Sequence, residues 1–406
     1  MRIKRIDHLF DTVFSILLFS LSISMAVPNI LLGILLLLFI FKKKQVTVSK
    51  TYVKLLLLFV LYLLFKAVVF NNLIENIQHY KFLIILLILS YLIFNIRDIT
   101  IVLKGYIFGV FFGVLISVYK IIFYFLEHKI LPFGNTSEVQ KLILIHRPYF
   151  GFMCFLAIVL IDFLLFKIEI KYKKVAYLFM AILIAIFLYT IVARLSLCLL
   201  CVHIIIRVLI YLRLNKTKLI ITLLVLLITL IGVFNLNENI KNRFHIKNSY
   251  TETLKVLKNQ EPRFVIWECA LNQIKKENFN VLFGYKNRRM IQENLNDCYD
   301  KKIENVSKKK YYLKTKFNSH NQFIDIFLDG GIVGLCLFLL IFIFSFFIFR
   351  GELYALYFLF SILLFLLFED LFHRQLGVYL FGVFMPLFYK IIILKKNEEK
   401  QNNIGN

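Results

Sequence analysis

The chain lacks the short motifs that betray most nucleotide- and metal-dependent chemistry. It has no phosphate-cradling P-loop, no His, Cys, Asp or Glu cluster at zinc-ligand spacing, and no Asp-x-Asp pair to hold a metal against a nucleotide diphosphate. These absences disfavour a nucleotide-sugar enzyme with its site on the cytoplasmic side. Acidic residues are few, 24 against 49 Lys and Arg, for a formal net charge of +25. The basic residues fall in short clusters between apolar runs and do not line one soluble face, so nucleic acid is not the implied partner. Short segments of alternating polarity are also missing, which excludes a membrane β-barrel.

What the chain does have is apolar length. Hydrophobic residues make up 60% of its 406 positions, far above the usual globular share. Apolar runs of sixteen or more residues recur, and a helix needs roughly 20 such residues to cross a bilayer core of about 30 Å. The fold is therefore all-α, a polytopic integral membrane protein. Twelve spans are expected, near 9–25, 27–41, 52–70, 81–95, 100–126, 148–166, 175–191, 194–212, 217–234, 331–349, 352–369 and 375–394. The first run follows Arg2, Lys4 and Arg5 as a signal peptide would, but Ala26-Val27-Pro28 is a poor cleavage site and further spans follow, so it reads as an uncleaved helix.

Cytoplasmic loops carry the excess of Lys and Arg. With the N-terminus inside, the inner segments collect Lys42/Lys43/Lys44, Lys171/Lys173/Lys174, Arg213/Lys216/Lys218 and Lys395/Lys396, and both termini are cytoplasmic. The organisation that follows is spans one to nine over 1–234, a large outward loop over 235–319, spans ten to twelve over 320–394, and a cytoplasmic tail over 395–406. The loop, about 85 residues long, holds eighteen Lys and Arg against nine Asp and Glu. Its length marks a small domain rather than a tether, and its basic excess fits either ordinary solvated charge or attraction for a phosphate-bearing partner. Within it, Pro262 stands as a first helical residue, and apolar positions continue at helical spacing to Ile274, which sets Arg263 and Trp267 on one face. Cys269 and Cys298 both lie in this loop and are free to pair if it is exported to an oxidising compartment. The other four cysteines, in or beside apolar runs, read as packing residues.

Ionisable groups at membrane spans are costly and so are candidates for function. Arg147, in His146-Arg147-Pro148, sits at the outer mouth of span six, and Arg194 opens span eight at the same face. Both occur where basic residues are otherwise rare. His320, in Asn318-Ser319-His320-Asn321, closes the large loop ahead of Asp329-Gly330-Gly331, and an imidazole there can take a proton from an attacking hydroxyl near neutral pH. Gly330-Gly331 allows a bend or close packing where the loop re-enters the membrane.

At these residues the chain resembles the O-antigen ligase and O-antigen polymerase superfamily of bacterial membrane glycosyltransferases. The likeness is sharpest in Arg263-Phe-Val-Ile-Trp267-Glu-Cys-Ala270-Leu271 with the later Leu282-Phe-Gly284, and in Ser319-His320-Asn321 with Asp329-Gly330-Gly331-Ile332-Val333-Gly334. The family's Gly-x-Gly turn reads Gly284-Tyr285-Lys286 here, and its arginine before span eight is flanked as Val192-Ala193-Arg194-Leu195. The resemblance implies a GT-C-like architecture in the bacterial inner membrane and a metal-independent reaction without a cofactor. In that reaction glycan leaves undecaprenyl diphosphate for an acceptor hydroxyl, on lipid A-core for a ligase or on a lipid-linked glycan for a polymerase. It implies that Arg147 and Arg194 bind the diphosphate, that Arg263 binds diphosphate or glycan, and that His320 and Arg194 are catalytic. Nothing in the loop separates ligase from polymerase, and a protein-directed O-oligosaccharyltransferase belongs to the same chemistry. A lipid-linked-oligosaccharide transporter is the alternative of a different class, disfavoured because the two halves show no repeat.

Overall fold

The computed structural model describes residues 2–42, 49–132, 136–166, 168–211 and 261–404. In chain order the helices begin with α1 (Arg2–Ser20), α2 (Val27–Phe41), α3 (Lys50–Val69), α4 (Ile77–Leu92) and α5 (Ile99–His128). They continue with α6 (Thr136–Leu142), α7 (Arg147–Leu165), α8 (Lys171–Thr190) and α9 (Arg194–Tyr211). After the undescribed stretch come α10 (Pro262–Asn272), α11 (Arg288–Lys302), α12 (Val306–Thr315), α13 (Gln322–Phe349), α14 (Leu353–Phe368) and α15 (Gln375–Ile404). Among the described residues, eight helices are long and apolar enough to cross a membrane, and α2 and α14 are shorter apolar helices. The protein is an all-α, multi-pass membrane protein. The expected ninth span, 217–234, and the loop residues 235–260 lie outside the described residues.

Three helices, α1, α13 and α15, depart furthest from the hydropathy reading, and each does so over polar residues. Helix α1 ends at Ser20, short of 25, and extends back into the charged N-terminus, where buried Asp7 and Asp11 meet Arg97. Helix α13 starts at Gln322, not near 331, because Asn321 caps it by accepting from the Phe323 and Ile324 amides at 3.0 and 3.1 Å. Its first two turns carry Gln322, Asp325 and Asp329, which hide them from an apolar count. Helix α15 runs on to Ile404, so residues 395–404 continue the last helix.

The chain divides into two compact units. The first comprises residues 1–41 and 97–257. In it α1 and α5 run parallel: Asp11 accepts from the Asp98 amide at 2.7 Å, Ser15 Oγ donates to Ile101 O at 3.0 Å, and Ser22 Oγ donates to Gly109 O at 2.5 Å. A Cβ at Gly105 or Gly109 would fall under 3.0 Å from α1 backbone, so this small-residue stripe is what lets two helices touch main chain to main chain. Helix α7 packs against α5, with Tyr106 Oη donating to Met153 O at 3.2 Å.

The second unit comprises residues 42–96 and 258–406. Helices α10, α11 and α12 enclose a small core of their own, centred on Ile266, Phe279, Tyr285, Leu295, Tyr299 and Tyr312. Cys269 and Cys298 are joined there by a disulfide, with 5.7 Å between their Cα atoms. Pro262 opens α10 as expected, and a 3₁₀ turn over Gln273–Lys275 ends it. Leu328 of α13 completes this core, so the polar subdomain is fused to a membrane helix.

Candidate active site

Helix α13 breaks at Gly331, where φ is +63° and ψ −163°, a conformation essentially confined to glycine. A break inside an apolar environment orphans backbone groups, and each must find a partner. The loop 281–285 supplies most of them. Val281 O accepts from the Ile332 amide at 2.9 Å, Leu282 O from Val333 at 3.3 Å, and Leu328 O from Tyr285 at 2.8 Å. On α3, Tyr62 Oη donates to Gly330 O at 2.7 Å and Lys66 Nζ to Asp329 O. Gly284, itself at φ +74°, allows the approach, because a Cβ there would strike the backbone of Leu328 and Asp329. The altered Gly-x-Gly turn and the Gly330-Gly331 pair are thus two halves of one joint.

The short helix before this break, 322–330, is held by a buried network of charge. Arg288 Nη2 donates to both oxygens of Asp325 at 2.9 and 2.8 Å, and Nη1 to Asp329 Oδ2 at 2.7 Å. Its guanidinium also reaches Nε2 of His79 and of His373. Lys66 Nζ stands 3.1 Å from Asp329 Oδ1, and His373 Nε2 3.0 Å from Asp325 Oδ1. Asp325, Asp370 and His373 bring ligand atoms within 4.8 Å of one another, the kind of set that can take a cation. Here a guanidinium already meets two of the three, in the bidentate geometry that suits a carboxylate.

This helix carries His320 at its N-terminal side. Ser319 Oγ lies 3.0 Å from both Asp370 Oδ2 and Asn321 O, and the His320 amide donates to Asn318 Oδ1 at 3.3 Å. So braced, His320 adopts a left-handed backbone with φ +46°, uncommon outside glycine and often found where a side chain must be aimed. Its Nδ1 faces Glu369 Oε2 at 3.7 Å. The other oxygen of Glu369 accepts from Arg263 Nη2 at 2.8 Å, while Arg263 Nε donates to Phe368 O at 3.2 Å. Trp267, one turn along α10, packs on Phe368 with ring centroids 5.8 Å apart and points its Nε1 at His320 O. The expected shared face of Arg263 and Trp267 is therefore the face that holds Glu369 and His320. Asp370, fully buried, has its pKa pushed up to about 6, first by burial and then by Asp325, against the opposing pull of His373, His320 and Ser319.

Arg147 and Arg194 belong to the first unit. Arg147 opens α7 and is buried, and its amide donates to Gln140 Oε1 of α6 at 3.0 Å. Arg194 opens α9 after a turn in which Val192 has φ +47°, a strained state for a β-branched residue. A Cβ on Gly151, one turn into α7, would lie under 3.0 Å from Ala193 and 3.0 Å from Ser196 Oγ. This close crossing places Arg147 and Arg194 at adjoining ends of α7 and α9.

Residues 178–339 match the family model described as O-antigen ligase. The match covers about two fifths of the chain and supports the likeness to the O-antigen ligase and O-antigen polymerase superfamily. No curated protein matches the chain. The O-antigen ligase match runs from α8 into α13, past the Gly331 break, and takes in Arg194, Arg263 and His320. Arg147, Glu369, Asp370 and His373 fall outside the matched stretch.

The reading of the sequence did not single out Lys66, His79, Arg288, Asp325, Glu369, Asp370 or His373. A signal was available for several. Lys66 sits in an apolar run, Asp325 and Asp329 are one helical turn apart ahead of another, and Glu369-Asp370 is an acidic pair between two spans, all places where a charge is expensive. What joins them, Arg288, looks from sequence like one of eighteen loop cations.

Proposed function

We propose that this protein moves a glycan from undecaprenyl diphosphate to an acceptor hydroxyl at the periplasmic face of the inner membrane, as an O-antigen ligase acting on lipid A-core. The observation that carries this reading is the Arg263–Glu369–His320 arrangement, in which a buried carboxylate is fixed by a guanidinium and faces an imidazole. That is the layout of a general base with its orienting partner. His320 takes the proton of the acceptor hydroxyl as the oxygen attacks the anomeric carbon, and Glu369 stabilises the imidazolium that results. The bond from the anomeric carbon to the diphosphate breaks, and the lipid diphosphate leaves with the electron pair.

The leaving group gathers negative charge, which guanidinium groups stabilise best in a partly dry site. Arg147 and Arg194 are assigned to that role. Arg263 acts through Glu369, and its Nη1 also stands 3.9 Å from Glu261, so its contribution to diphosphate or glycan is secondary. The reaction draws on energy already stored in the sugar diphosphate, and arginines provide the positive charge, so transfer is expected to survive chelation of divalent metals. The disulfide in the polar subdomain fits an oxidising compartment on that side.

Substitution tests the site: His320→Ala and Arg194→Ala should each abolish glycan transfer with expression and membrane insertion intact, and normal transfer in either sinks its assignment. Lipopolysaccharide from a deletion strain separates ligase from polymerase. Loss of a ligase leaves long polymer on the carrier lipid, whereas loss of a polymerase leaves core bearing single repeats.

A further inference from the structure

The loop 281–285 belongs by hydropathy to a polar segment outside the membrane, yet it is seated at membrane depth. Its Val281 and Leu282 carbonyls accept from the amides of Ile332 and Val333, the first residues of α13 beyond the Gly331 break. From Ile332 to Phe349, the last residue before charged Arg350, α13 rises about 26 Å. A hydrocarbon core is about 30 Å thick, so Ile332 lies roughly 4 Å inside its edge on the side of the polar subdomain. Helix α3 fixes the same edge separately. Its apolar span Thr51–Val69 rises about 27 Å. Just past its end Asn72 donates to Lys286 O, and Asn76 to Asn287 Oδ1 at 3.2 Å. Lys286 and Asn287 therefore sit at the membrane edge, and residues 281–283 sit below it.

The side chains there suit that depth. Val281, Leu282 and Phe283 are 56%, 55% and 47% exposed. Beside them Ile332 begins the exposed face of α13, which continues at helical spacing through Leu340, Ile343 and Phe347. The polar subdomain does not need the three residues for its own folding, since its core takes Phe279 and Tyr285 from either side of them and leaves them out. Irregular backbone is tolerated at this depth only where its polar groups are met. Here Asn280 Oδ1 accepts from the Leu282 and Phe283 amides at 2.9 and 3.0 Å, and the break in α13 takes up the Val281 and Leu282 carbonyls.

We propose that Val281, Leu282 and Phe283 form a membrane wedge, inserted among the acyl chains of the leaflet on the subdomain's side, and that bilayer lipid covers their exposed surface. That surface continues the lipid-facing side of α13, and the depth set by Ile332 puts it beside acyl chains rather than water. The Tyr285 amide, which donates to Leu328 O at 2.8 Å, ties the wedge to the 322–330 helix. Lipid thus sets the height at which that helix, and His320 just ahead of it, stand over the bilayer. The inference concerns where the loop sits and stands independently of the transferase reading.

The test reads the depth of a single tryptophan in the full chain. Trp267 is the only one in the sequence, so Leu282→Trp and Phe283→Trp are each made together with Trp267→Phe, and Leu340→Trp in the same background is the mid-bilayer reference. Only protein that has formed the Cys269–Cys298 bridge is used. In nanodiscs, lipid brominated in the upper part of its acyl chains should lower the emission of both loop variants about twofold. Lipid brominated near the chain ends should quench them less, the reverse of the order for Leu340→Trp, and aqueous iodide should change them little. Strong iodide quenching without quenching by bromolipid places the loop in water and overturns the wedge. Quenching by neither reagent means that protein covers the loop, and overturns it too. Bromolipid quenching that vanishes when undecaprenyl diphosphate is added gives the position to the carrier's tail and overturns bilayer lipid as the occupant.

Discussion

Glu369 turns one carboxylate oxygen to His320, 3.7 Å from Nδ1, while its other oxygen is held by Arg263. The gap is slightly long for a hydrogen bond, as catalytic pairs often are before substrate tightens them. A carboxylate in this position selects the tautomer in which Nδ1 carries the proton and leaves Nε2 free to accept one. Glu369→Gln keeps the shape and removes the charge, so turnover should fall by up to about 10²–10⁴-fold, the whole contribution of general acid–base catalysis, with little change in KM for the lipid donor. Steady-state transfer by purified protein checks it, and an unchanged kcat would remove Glu369 from the mechanism.

Arg288 neutralises two buried carboxylates at once. Removing one partner of a buried ion pair costs about 3–5 kcal/mol, because the other is left charged and dry. Arg288→Leu should therefore lower the unfolding midpoint strongly in nanodiscs, and Arg288→Lys should fall between, since an ammonium cannot fork across Asp325 and Asp329. Adding Asp325→Asn and Asp329→Asn to Arg288→Leu should restore part of the loss. If the triple variant were no more stable than Arg288→Leu, the network would not be what holds the short helix.

Much of the scaffold was legible in the sequence because a bilayer writes its thickness into apolar run length. Where described helices cover expected spans, they begin and end within a few residues of them except where charge intervened, at α1, α13 and α15. Pro262 and its apolar period likewise marked α10 one residue at a time. His320 stood out because its neighbours form a recognisable block. The partners of His320 did not, since Glu369 is 49 positions away and is brought there by the return of α14. The Arg288 network is tertiary in the same sense: no local pattern separates a cation that pairs with two buried carboxylates from its solvated neighbour Arg289, which pairs with Glu293 at 2.7 Å on the surface.

Gly331 allows no side chain. A Cβ there would collide with the backbone of Leu282 and Phe283, and its φ and ψ cost a non-glycine residue about 1–3 kcal/mol before any clash. Gly331→Ala should undock the 281–285 loop, seen as faster hydrogen exchange at the Tyr285, Ile332 and Val333 amides. Gly33→Ala in α2 is the control, because a Cβ there meets nothing within 4 Å and stability should rise by about 0.5–1 kcal/mol. Slow exchange retained in Gly331→Ala would show that the joint does not depend on the break.

Asp370 gives the second unit a pH dependence of definite sign. Its pKa is raised in the folded state to about 6 from 3.8, by burial and by Asp325, so between these values the native protein holds a proton that the unfolded chain has lost. Stability from this group is fully present below about pH 4 and is lost as pH rises through about 6. The other titratable side chains facing it are His373 and His320. Asp370→Asn cannot lose the proton, so the fall in unfolding midpoint between pH 4 and 6.5 should be shallower in that variant than in wild type. Parallel curves for the two would show that another group is responsible.

The Cys269–Cys298 bridge closes a loop with a sequence separation of 29 residues, for which chain entropy predicts about 3–4 kcal/mol of stabilisation. Its formation also reports on topology, because a loop facing a reducing cytoplasm would keep both thiols. The remaining cysteines, Cys154, Cys198, Cys201 and Cys336, are free and serve as an internal count. Protein from native membranes, denatured without reductant and treated with a maleimide, should take up four labels, and six after reduction. Cys298→Ser should take up five in either case and show a lower unfolding midpoint. Six labels on the unreduced wild type would place the α10–α12 subdomain in the cytoplasm and reverse the orientation on which the periplasmic reaction depends.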